Sequence, residues 1–427
     1  MGMIDGADAD LRFRQRRRLL QAVALGIAAG TAPLRAAARA RVVVVGGGFA
    51  GAACALALRR LDDTIDITLI DPEPTYVSCP MSNAALVGWR SMGSIKVSRA
   101  GLVRAGIRIV GGRVVAIDAG TRNVRLADGW PMPYDRLVVA PGIRFLWDTP
   151  HGYDEAASLR MPHAWVAGAQ TELLATQLRT MEDGGVVAIS VPAGLMRCPP
   201  APFERAGVIA AWLQKNKPRS KVLIFDANNH FPQQEAFSSA WNELYPGKVE
   251  WIPSTEGGTI ERVDAEKKIL FTSAGAHKLA VANIIPAQAP AQLAVDTGLA
   301  SGHGWCPVDP VTFESTLVRN VHVIGDACIA GAMPKAASAA QSQARQCAHS
   351  IAALLQGREP PQLELESVCY SLLAPDRALS IHGRFAVSAG EIRAQPLPSP
   401  TRTLSATEEA VLAQQWFRQI LADSFGS

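Results

Sequence analysis

Apolar runs that alternate with a helical stretch dominate the region that follows residue 40. A β-branched run at Arg41–Val45 leads into a glycine-rich turn, an Ala/Leu-rich stretch from Ala52 to Leu61 and a second apolar run from Ile65 to Ile70. A strand, a helix and a strand in this order predict a βαβ unit within a parallel sheet. The pattern therefore favours an α/β fold.

A second unit of the same kind follows. The segments Gly185–Val191, Phe203–Gln214 and Lys221–Asp226 predict another strand, helix and strand. The turn after the first strand reads Val191-Pro-Ala-Gly-Leu-Met-Arg-Cys198-Pro-Pro. Because proline has no N–H, this turn cannot offer a pyrophosphate the usual row of backbone amides. We expect a dinucleotide-type domain that lacks a nicotinamide site.

The turn of the first unit reads Gly46-Gly-Gly-Phe-Ala-Gly51, a GxGxxG motif between a predicted strand and a predicted helix. Gly46 permits the tight turn, Gly48 lets backbone amides approach a pyrophosphate, and Gly51 allows the helix to pack closely on the strand. Asp71 follows Gly51 by twenty residues, where a carboxylate accepts the ribose hydroxyls of an adenosine. We expect a bound dinucleotide here rather than a glycine turn without a ligand.

The first forty residues have the pattern of an export signal. A basic stretch from Arg14 to Gln21 precedes an apolar stretch of small residues, and Leu-Arg-Ala-Ala-Ala-Arg-Ala offers a cleavage site. The pair Arg16-Arg17 is typical of the twin-arginine route. We expect a signal at residues 1–40 and a periplasmic mature protein. The alternative, a short membrane anchor, would need a longer apolar run, and no other segment is long and apolar enough to span a bilayer.

Charge and cysteine content exclude further classes. The leader carries seven of the 42 Lys and Arg and three of the 38 Asp and Glu, so the rest of the 427-residue chain is neutral and we expect no nucleic-acid binding. Seven cysteines are too few for a disulfide scaffold, and the chain has neither CxxC nor CxxCH nor a His-rich cluster. We expect no metal site and no covalent haem on this chain.

Two later segments resemble motifs of the FAD-binding glutathione-reductase-like superfamily. Tyr134–Gly142 is an apolar run that ends on Pro-Gly, and Asn320–Ala327 is an apolar run with Gly-Asp at its carboxyl end. The resemblance implies that Asp326 holds the ribityl and pyrophosphate end of FAD and that Gly142 also lies at the cofactor.

The same resemblance implies the domain organisation. It places an FAD-binding domain at 41–155 and 287–360, a second dinucleotide-type domain at 156–286, and a C-terminal domain of alternating short strands and a final amphipathic helix at 361–427. The expected fold class is α/β, with two Rossmann-like (glutathione-reductase-like) dinucleotide-binding domains and a C-terminal α+β interface domain.

Cysteine-bearing motifs narrow the resemblance further. In chain order they are Cys79-Pro-Met-Ser-Asn83, Arg197-Cys-Pro-Pro-Ala-Pro-Phe-Glu-Arg-Ala206, Trp305-Cys-Pro-Val-Asp309, Ile324-Gly-Asp-Ala, Met333-Pro-Lys335, Cys369-Tyr-Ser-Leu-Leu-Ala-Pro-Asp376 and a closing Trp416-Phe-Arg-Gln-Ile-Leu-Ala-Asp-Ser-Phe-Gly426. From about residue 41 to 426 the chain resembles the flavoprotein subunit of flavocytochrome c sulfide dehydrogenase, including the related flavoprotein of the sulfur-oxidising system.

This resemblance implies roles for individual residues. Cys79 takes the position whose sulfur is bonded to the 8α-methyl of the flavin, and Cys198 and Cys369, 171 residues apart, match a redox-active disulfide beside the flavin. Glu204 matches an acid that exchanges protons with bound sulfur, although a solvated helix-start carboxylate is an equal alternative. Lys335 resembles a residue near the flavin pyrimidine edge. Trp416 matches an aromatic beside the flavin, with plain packing as the alternative.

The chain departs from the family at two places. Pro80 and Met81 stand where Tyr and Leu are common, which leaves an unlinked Cys79 open. Ala336-Ala337-Ser338 stands where Ser-Gly-Tyr usually follows the lysine, which puts the packing above the flavin in question.

The other cysteines have structural interpretations. We expect Cys54 and Cys347 in the core. Cys306 and Cys328 flank the strand that leads to Asp326, and a second pair or a rival partner for Cys198 stays open for them.

The resemblance implies an enzyme that oxidises sulfide to sulfur or polysulfide through the disulfide and FAD. Electrons would then pass to a c-type cytochrome subunit, whose haem sits on a separate polypeptide because this chain has no CxxCH. Two alternatives stay open. One is a sulfide:quinone reductase that reaches the membrane through the final helix at 410–421. The other is a non-enzymatic redox partner of a sulfur-carrier complex.

Overall fold

The computed structural model describes residues 39–300, 304–397 and 404–427. The expected export signal lies outside the described residues, apart from its last two positions.

The described residues form many short strands and fewer, longer helices. The strands are β1 (Arg41–Val45), β2 (Asp66–Asp71), β3 (Tyr76–Val77), β4 (Lys96–Val97), β5 (Arg108–Gly111), β6 (Val114–Asp118), β7 (Asn123–Leu126), β8 (Pro131–Pro133), β9 (Arg136–Val139), β10 (Ile143–Phe145), β11 (Val186–Val191), β12 (Lys221–Asp226), β13 (Val249–Ile252), β14 (Ile260–Asp264), β15 (Ile269–Thr272), β16 (Gly275–Lys278), β17 (Val281–Asn283), β18 (Gln288–Pro290), β19 (Cys306–Pro307), β20 (Val321–Val323), β21 (Cys328–Ile329), β22 (Leu365–Ala374), β23 (Arg377–Ser388) and β24 (Glu391–Gln395). The helices are α1 (Phe49–Leu61), α2 (Ser82–Leu86), α3 (Ala100–Arg104), α4 (Ala169–Thr180), α5 (Ala201–Asn216), α6 (Gln234–Leu244), α7 (Gln292–Asp296), α8 (Ala337–Leu355) and α9 (Ala406–Phe425).

A five-stranded parallel sheet contains the glycine motif at its centre. Its order is β20-β9-β1-β2-β5, so strand β20, far along the chain, returns to lie beside β9. Val42 to Val45 of β1 are buried, as expected for a central strand whose two faces are both covered. The expected strand at Arg41–Val45 is confirmed. Helix α1 begins at Phe49, three residues before the expected start, because Gly48 already serves as its N-cap.

A four-stranded parallel sheet of order β13-β12-β11-β17 forms the second unit. The expected strand at Lys221–Asp226 is confirmed, and β11 begins one residue after its expected start. Helix α5 begins at Ala201, two residues earlier than expected. Pro202 is accommodated there because the first turn of a helix does not use that N–H. The α/β class with Rossmann-type sheets is thus as expected.

The C-terminal segment forms an antiparallel sheet covered by one helix. Strand β22 has 10 residues and β23 has 12, so the expectation of short strands is wrong here. The two strands pair along almost their whole length, since the turn at Pro375–Asp376 joins them directly. Helix α9 begins with a capping box between Ser405 and Glu408 and buries its apolar face, which includes Phe417 and Phe425. Among the described residues, no helix has both the length and the hydropathy needed to cross a membrane.

Candidate active site

The glycine turn between β1 and α1 has the shape that a dinucleotide requires. Gly46 has φ +98°, and a Cβ built on Gly51 would lie 1.9 Å from the Gly46 carbonyl oxygen, so neither position accepts a larger residue without a backbone shift. The N–H of Gly47 donates to the Asp71 carboxylate at 2.5 Å. Gly48 caps α1 without a side-chain hydrogen bond, which leaves first-turn amides available to a phosphate. These residues fit the pyrophosphate and ribose of FAD.

Arg99 is a buried residue of this turn that the sequence did not reveal. Its guanidinium pairs with Asp71 at 2.9 Å and also donates to the Glu73 carbonyl. The same guanidinium lies beside Gly47, and its Nε has no hydrogen-bond partner within the described residues. A buried donor without a partner costs free energy, so this arginine has capacity for a further acceptor at the dinucleotide turn.

Asp326 and Lys335 lie together after β20. The Lys335 ammonium donates to the backbone carbonyls of Asp326 at 2.8 Å and Cys328 at 2.9 Å, and it lies 3.7 Å from the centre of the Trp305 ring. Burial lowers the pKa of Lys335 and raises that of Asp326. Gly142, which ends the segment after β9, has φ +70°. The roles of these residues toward the flavin stay predictions.

Cys198 lies in the turn before α5, which is anchored to the Lys335 segment. The N–H of Cys198 donates to the Lys335 carbonyl at 2.7 Å, and Cys198 has φ +52°, a left-handed conformation that is uncommon for a side chain other than glycine. Burial raises the pKa of the Cys198 thiol well above its usual value. Cys369 and Glu204 raise this pKa further, whereas Arg197 lowers it. The turn therefore holds Cys198 within electrostatic range of Cys369 and Glu204.

Cys369 lies on β22, next to the first turn of α8. Its Sγ is 3.8 Å from the hydroxyl oxygen of Ser338, and Ser338 is also 3.1 Å from the Ser367 hydroxyl. Burial raises the pKa of the Cys369 thiol, hydrogen bonds with the two serines lower it, and Glu204 raises it. All seven cysteines fall within the described residues, and each is a free thiol. The structure thus brings Cys198 and Cys369 together in the reduced form, and their disulfide stays a prediction.

Glu204 lies between the two cysteine segments. One carboxylate oxygen accepts from the N–H of Leu372 at 3.1 Å, and the other accepts from the Asn83 amide at 3.0 Å. Burial raises the pKa of Glu204 to about 7, although both hydrogen bonds and the adjacent Arg205 act to lower it. The alternative of a solvated helix-start carboxylate is therefore wrong, because both oxygens are bound inside the protein.

Asn83 and Arg205 support Glu204 and were not found from the sequence. The Asn83 carbonyl oxygen accepts from Arg205 Nε at 3.0 Å, and the remaining guanidinium nitrogens bind Asn283 at 2.8 Å and the Ala164 carbonyl at 2.8 Å. Burial lowers the pKa of Arg205 to about 10. The motif residues Asn83 and Arg205 were visible in the sequence, but nothing there indicated that one amide joins the cation to the acid.

Cys79 and Arg197 lie on the other side of Cys198. The Cys79 thiol donates to the Trp165 carbonyl at 3.7 Å, and the Arg197 guanidinium donates to that same oxygen. Burial acts to lower the pKa of Arg197, but the charges of Cys79, Asp326 and Tyr76 raise it, and the net direction is upward. Arg197 therefore lies near the proposed flavin link, the FAD-binding acid and the redox-active thiol at once.

The remaining cysteines lie in buried surroundings. Cys54 and Cys347 are fully buried, as expected for core residues. Cys306 and Cys328 are paired neighbours on the parallel strands β19 and β21, and burial raises the pKa of their thiols to about 11 and about 12. Neither expectation for this second pair is tested. Trp416 is half-buried with its ring centre 5.7 Å from that of Tyr370, which fits a packing role.

A cavity of about 250 Å³ lies at the carboxyl ends of β11 and β12, where ligands of α/β sheets bind. Phe203 and Phe231 stack at 3.8 Å within its lining. Asp226, at the end of β12, already accepts hydrogen bonds from Trp251 at 3.0 Å and from Asn228 at 2.9 Å. These aromatic rings and satisfied partners occupy the region where a nicotinamide cofactor would bind. The lack of a nicotinamide site stays a prediction.

Comparison with known families places this site in context. Residues 40–159 match the family model of pyridine nucleotide-disulphide oxidoreductases. Residues 171–286 match the central domain of the sulfide dehydrogenase [flavocytochrome c] flavoprotein chain, and residues 361–425 match the flavin-binding domain of flavocytochrome c sulphide dehydrogenase. A sulfide dehydrogenase [flavocytochrome c] flavoprotein chain from Chlorobaculum thiosulfatiphilum is 59% identical over 44 residues, which are 10% of this chain and 92% of that sequence. The chain belongs to the flavocytochrome c sulfide dehydrogenase flavoprotein family.

This flavoprotein is also similar to sulfide-quinone reductases. The one from Aquifex aeolicus is 30% identical over 186 residues, which cover 42% of this chain and 41%, less than two thirds, of that protein. The solved structure of the sulfide:quinone oxidoreductase from Aquifex aeolicus has a TM-score of 0.71 and 18% sequence identity, covering 91% of this chain and 92% of that one. At this identity the similarity shows the fold alone.

Family membership establishes the general chemistry of the site. The flavoprotein is an FAD-binding oxidoreductase of a family that acts on sulfide. The glycine turn, Asp71 and Asp326 are the residues of this chain that would hold FAD, which supplies a two-electron acceptor when bound.

Proposed function

We propose that the flavoprotein oxidises sulfide to sulfane sulfur or polysulfide in the periplasm and passes the electrons to a c-type cytochrome subunit. The single observation that supports this most is the meeting of Cys198, Cys369 and Glu204. Two thiols and an acid with a pKa of about 7 share one desolvated site although they come from distant parts of the chain.

The reaction begins on the oxidised pair. Hydrosulfide attacks one sulfur of the Cys198–Cys369 disulfide, a new S–S bond forms, the old S–S bond breaks, and the electron pair leaves on the other cysteine as a thiolate. One cysteine then carries a persulfide. Glu204 is in a position to take or return the proton of the incoming sulfur, because its pKa lies near neutrality and its oxygens lie beside both cysteine segments.

The cytochrome partner follows from what this chain does not encode. The sequence has no CxxCH motif, so a covalent haem must belong to another polypeptide. The Arg16-Arg17 pair supports export by the twin-arginine route, which carries proteins already folded with their cofactor. Export in this form suits a flavoprotein whose cofactor is bound through Cys79.

A sulfide:quinone reductase is the second candidate, favoured by the similarity to the Aquifex aeolicus enzyme. Against it, helix α9 already buries Ala413, Phe417 and Ile420 against the body of the protein. Within this helix Val411 is the large apolar side chain that is mostly exposed. The apolar face that the sequence assigned to the membrane is therefore engaged in packing.

The test is anaerobic reduction of the purified flavoprotein by sodium sulfide, followed by added cytochrome c or a soluble quinone. We expect sulfide to bleach the flavin and cytochrome c to reoxidise it. Cys198→Ser should abolish bleaching, whereas Cys54→Ala, a change in the core, should not. Bleaching at an unchanged rate in Cys198→Ser would overturn the proposal, and reoxidation by quinone alone would favour the second candidate.

A further inference from the structure

Two serines lie beside one of the two redox-active cysteines. The hydroxyl of Ser338 accepts from the N–H of Val368 at 3.1 Å, and it lies 3.1 Å from the Ser367 hydroxyl and 3.8 Å from Cys369 Sγ. Since its acceptor capacity is used by Val368, its own hydrogen can point to Ser367 or to the sulfur. Both serines are buried, with 8% and 3% of their surface exposed, so water does not compete strongly for these groups.

Cys198 has different surroundings. Its N–H is bound to the Lys335 carbonyl, and among the described residues no hydrogen bond to its sulfur is found. The cation Arg197 favours a thiolate there, but Glu204 and Cys369 disfavour it, and burial raises the pKa of Cys198 more than that of Cys369. Around Cys369, α8 contributes Ser338, β23 places Ile381 opposite, and α5 contributes Glu204, which opposes a thiolate. Hydrogen-bond donors are thus supplied to one sulfur of the pair.

We propose that Ser338, oriented by Val368 and Ser367, makes Cys369 the leaving thiolate, so that the sulfur taken from sulfide is carried on Cys198. The proposal rests on the proposed function and adds to it the direction of the first step. Ser338 is a residue at which the chain departs from the usual sequence of its family, so this direction is a property of this chain's own residues.

The step balances as a thiol–disulfide exchange. Hydrosulfide attacks Cys198 Sγ, the Cys198–Cys369 bond breaks, and its electron pair stays on Cys369 as a thiolate that accepts a hydrogen bond from Ser338. The proton of hydrosulfide stays on the Cys198 persulfide or passes to Glu204. No additional oxidant is needed, because the disulfide itself is the two-electron acceptor in this step. The sulfur whose thiolate is more stable leaves faster, which is why a donor at Cys369 decides the direction.

The first experiment locates the sulfur. The oxidised holoprotein is mixed anaerobically with one equivalent of sodium sulfide, quenched with an alkylating agent, digested and analysed by mass spectrometry. We expect the mass of one extra sulfur on the peptide that contains Cys198. Extra sulfur on the Cys369 peptide, or equally on both, would overturn the inference and leave the proposed function intact. Extra sulfur on neither peptide would overturn both.

The second experiment tests Ser338 itself. In the reduced holoprotein, the pH dependence of Cys369 alkylation reports its pKa. Ser338→Ala removes the donor and should raise that pKa by about one unit, which is about tenfold less thiolate at a given pH. It should also shift the persulfide toward an even distribution. Ser338→Thr keeps the hydroxyl and should restore both values.

Ser342 offers a matched control. It lies one turn further along α8 and accepts from the N–H of Glu366 at 3.0 Å, as Ser338 accepts from Val368, but it has no contact with a cysteine. Ser342→Ala should therefore leave the Cys369 pKa and the persulfide position as in the wild type. An equal shift in both alanine variants, or no shift in Ser338→Ala, would show that the serine has a structural role alone.

Discussion

The carboxylate of Glu204 accepts the backbone N–H of Leu372 at 3.1 Å. Glu204 lies six residues after Cys198 and Leu372 lies three residues after Cys369, so this one hydrogen bond joins the two segments that carry the redox-active thiols. A carboxylate is a stronger acceptor than a neutral group, and backbone N–H groups cannot be exchanged by mutation. The position of the acid between the thiols is therefore determined by the main chain of β22.

The raised pKa of Glu204 predicts a specific pH dependence of stability. Burial raises the pKa of Glu204 from 4.5 to about 7, so between these pH values the folded chain holds a proton that the unfolded chain releases. The free energy of unfolding must therefore fall as the pH rises through this range, by about 3 kcal/mol for a shift of this size. Glu204→Gln stays neutral and should lose this part of the fall, as measured by urea unfolding at pH 5 and pH 8.

The matched control for this prediction is Glu235→Gln, which changes an exposed carboxylate in the first turn of α6. Its unfolding free energies at the two pH values should differ as those of the wild type do. A Glu204→Gln variant with the wild-type difference would show that the Glu204 carboxyl is not protonated in the folded protein at pH 5 to 7.

The amide of Asn83 should contribute substantially to stability, because it serves an acid and a cation at the same time. Asn83→Ala leaves the Glu204 carboxylate and the Arg205 Nε each without one hydrogen bond in a buried setting. We expect a loss of about 3 kcal/mol in the free energy of unfolding, measured by urea denaturation.

Asn216→Ala is the comparison for Asn83. It removes an exposed amide at the end of α5 that binds the Trp212 carbonyl at 2.8 Å. This variant should change the unfolding free energy by less than about 0.5 kcal/mol. Equal losses in the two variants would contradict a special role of the Asn83 bridge.

The first sheet was largely predictable because its signals are local. The β-branched run at Arg41–Val45 and the spacing of Gly46, Gly48 and Gly51 follow from strand burial and from turn geometry, which depend on neighbours in the sequence. The start of α1 was placed late because glycine was assigned to the turn, whereas Gly48 is in fact the cap of the helix. The FAD assignment rested on motifs of this local kind together with a resemblance.

The support of the cysteines could not be predicted from residue patterns. Ser338 lies in an Ala/Ser-rich stretch with no distinctive spacing, and its contact with Cys369 depends on how α8 packs against β22. The bridge from Asn83 to Glu204 spans 121 residues in the sequence. Hydrogen bonds between side chains on distant elements depend on the tertiary fold, and periodicity carries no information about them.

The glycine turn predicts the effect of a single added methyl group on FAD binding. In Gly51→Ala the new Cβ would lie 1.9 Å from the Gly46 carbonyl oxygen, so the turn must shift at the point where the pyrophosphate approaches. We expect FAD affinity to fall at least about tenfold, which is about 1.4 kcal/mol. Flavin content of the purified variant, from its visible absorbance, measures this.

Gly111→Ala is the control for Gly51. A Cβ on Gly111 meets nothing within 4 Å, although this glycine ends a strand of the same sheet. Its flavin content should equal that of the wild type. Normal flavin content in Gly51→Ala would exclude this turn as the FAD-binding site.

The position of Cys79 predicts that the flavin is attached covalently. Its half-buried thiol lies in the same electrostatic neighbourhood as Arg197, which is also near Asp326, so a cofactor bound at Asp326 is close to the sulfur. Acid-denatured protein should therefore stay yellow, with the flavin on the peptide that contains Cys79. Cys79→Ser should bind FAD but release it on acid treatment, while Cys347→Ala, a change in the core, should keep it attached. Complete release of flavin from the acid-treated wild type would refute the covalent link and leave the Cys198 and Cys369 chemistry unaffected, because no bond of that exchange involves Cys79.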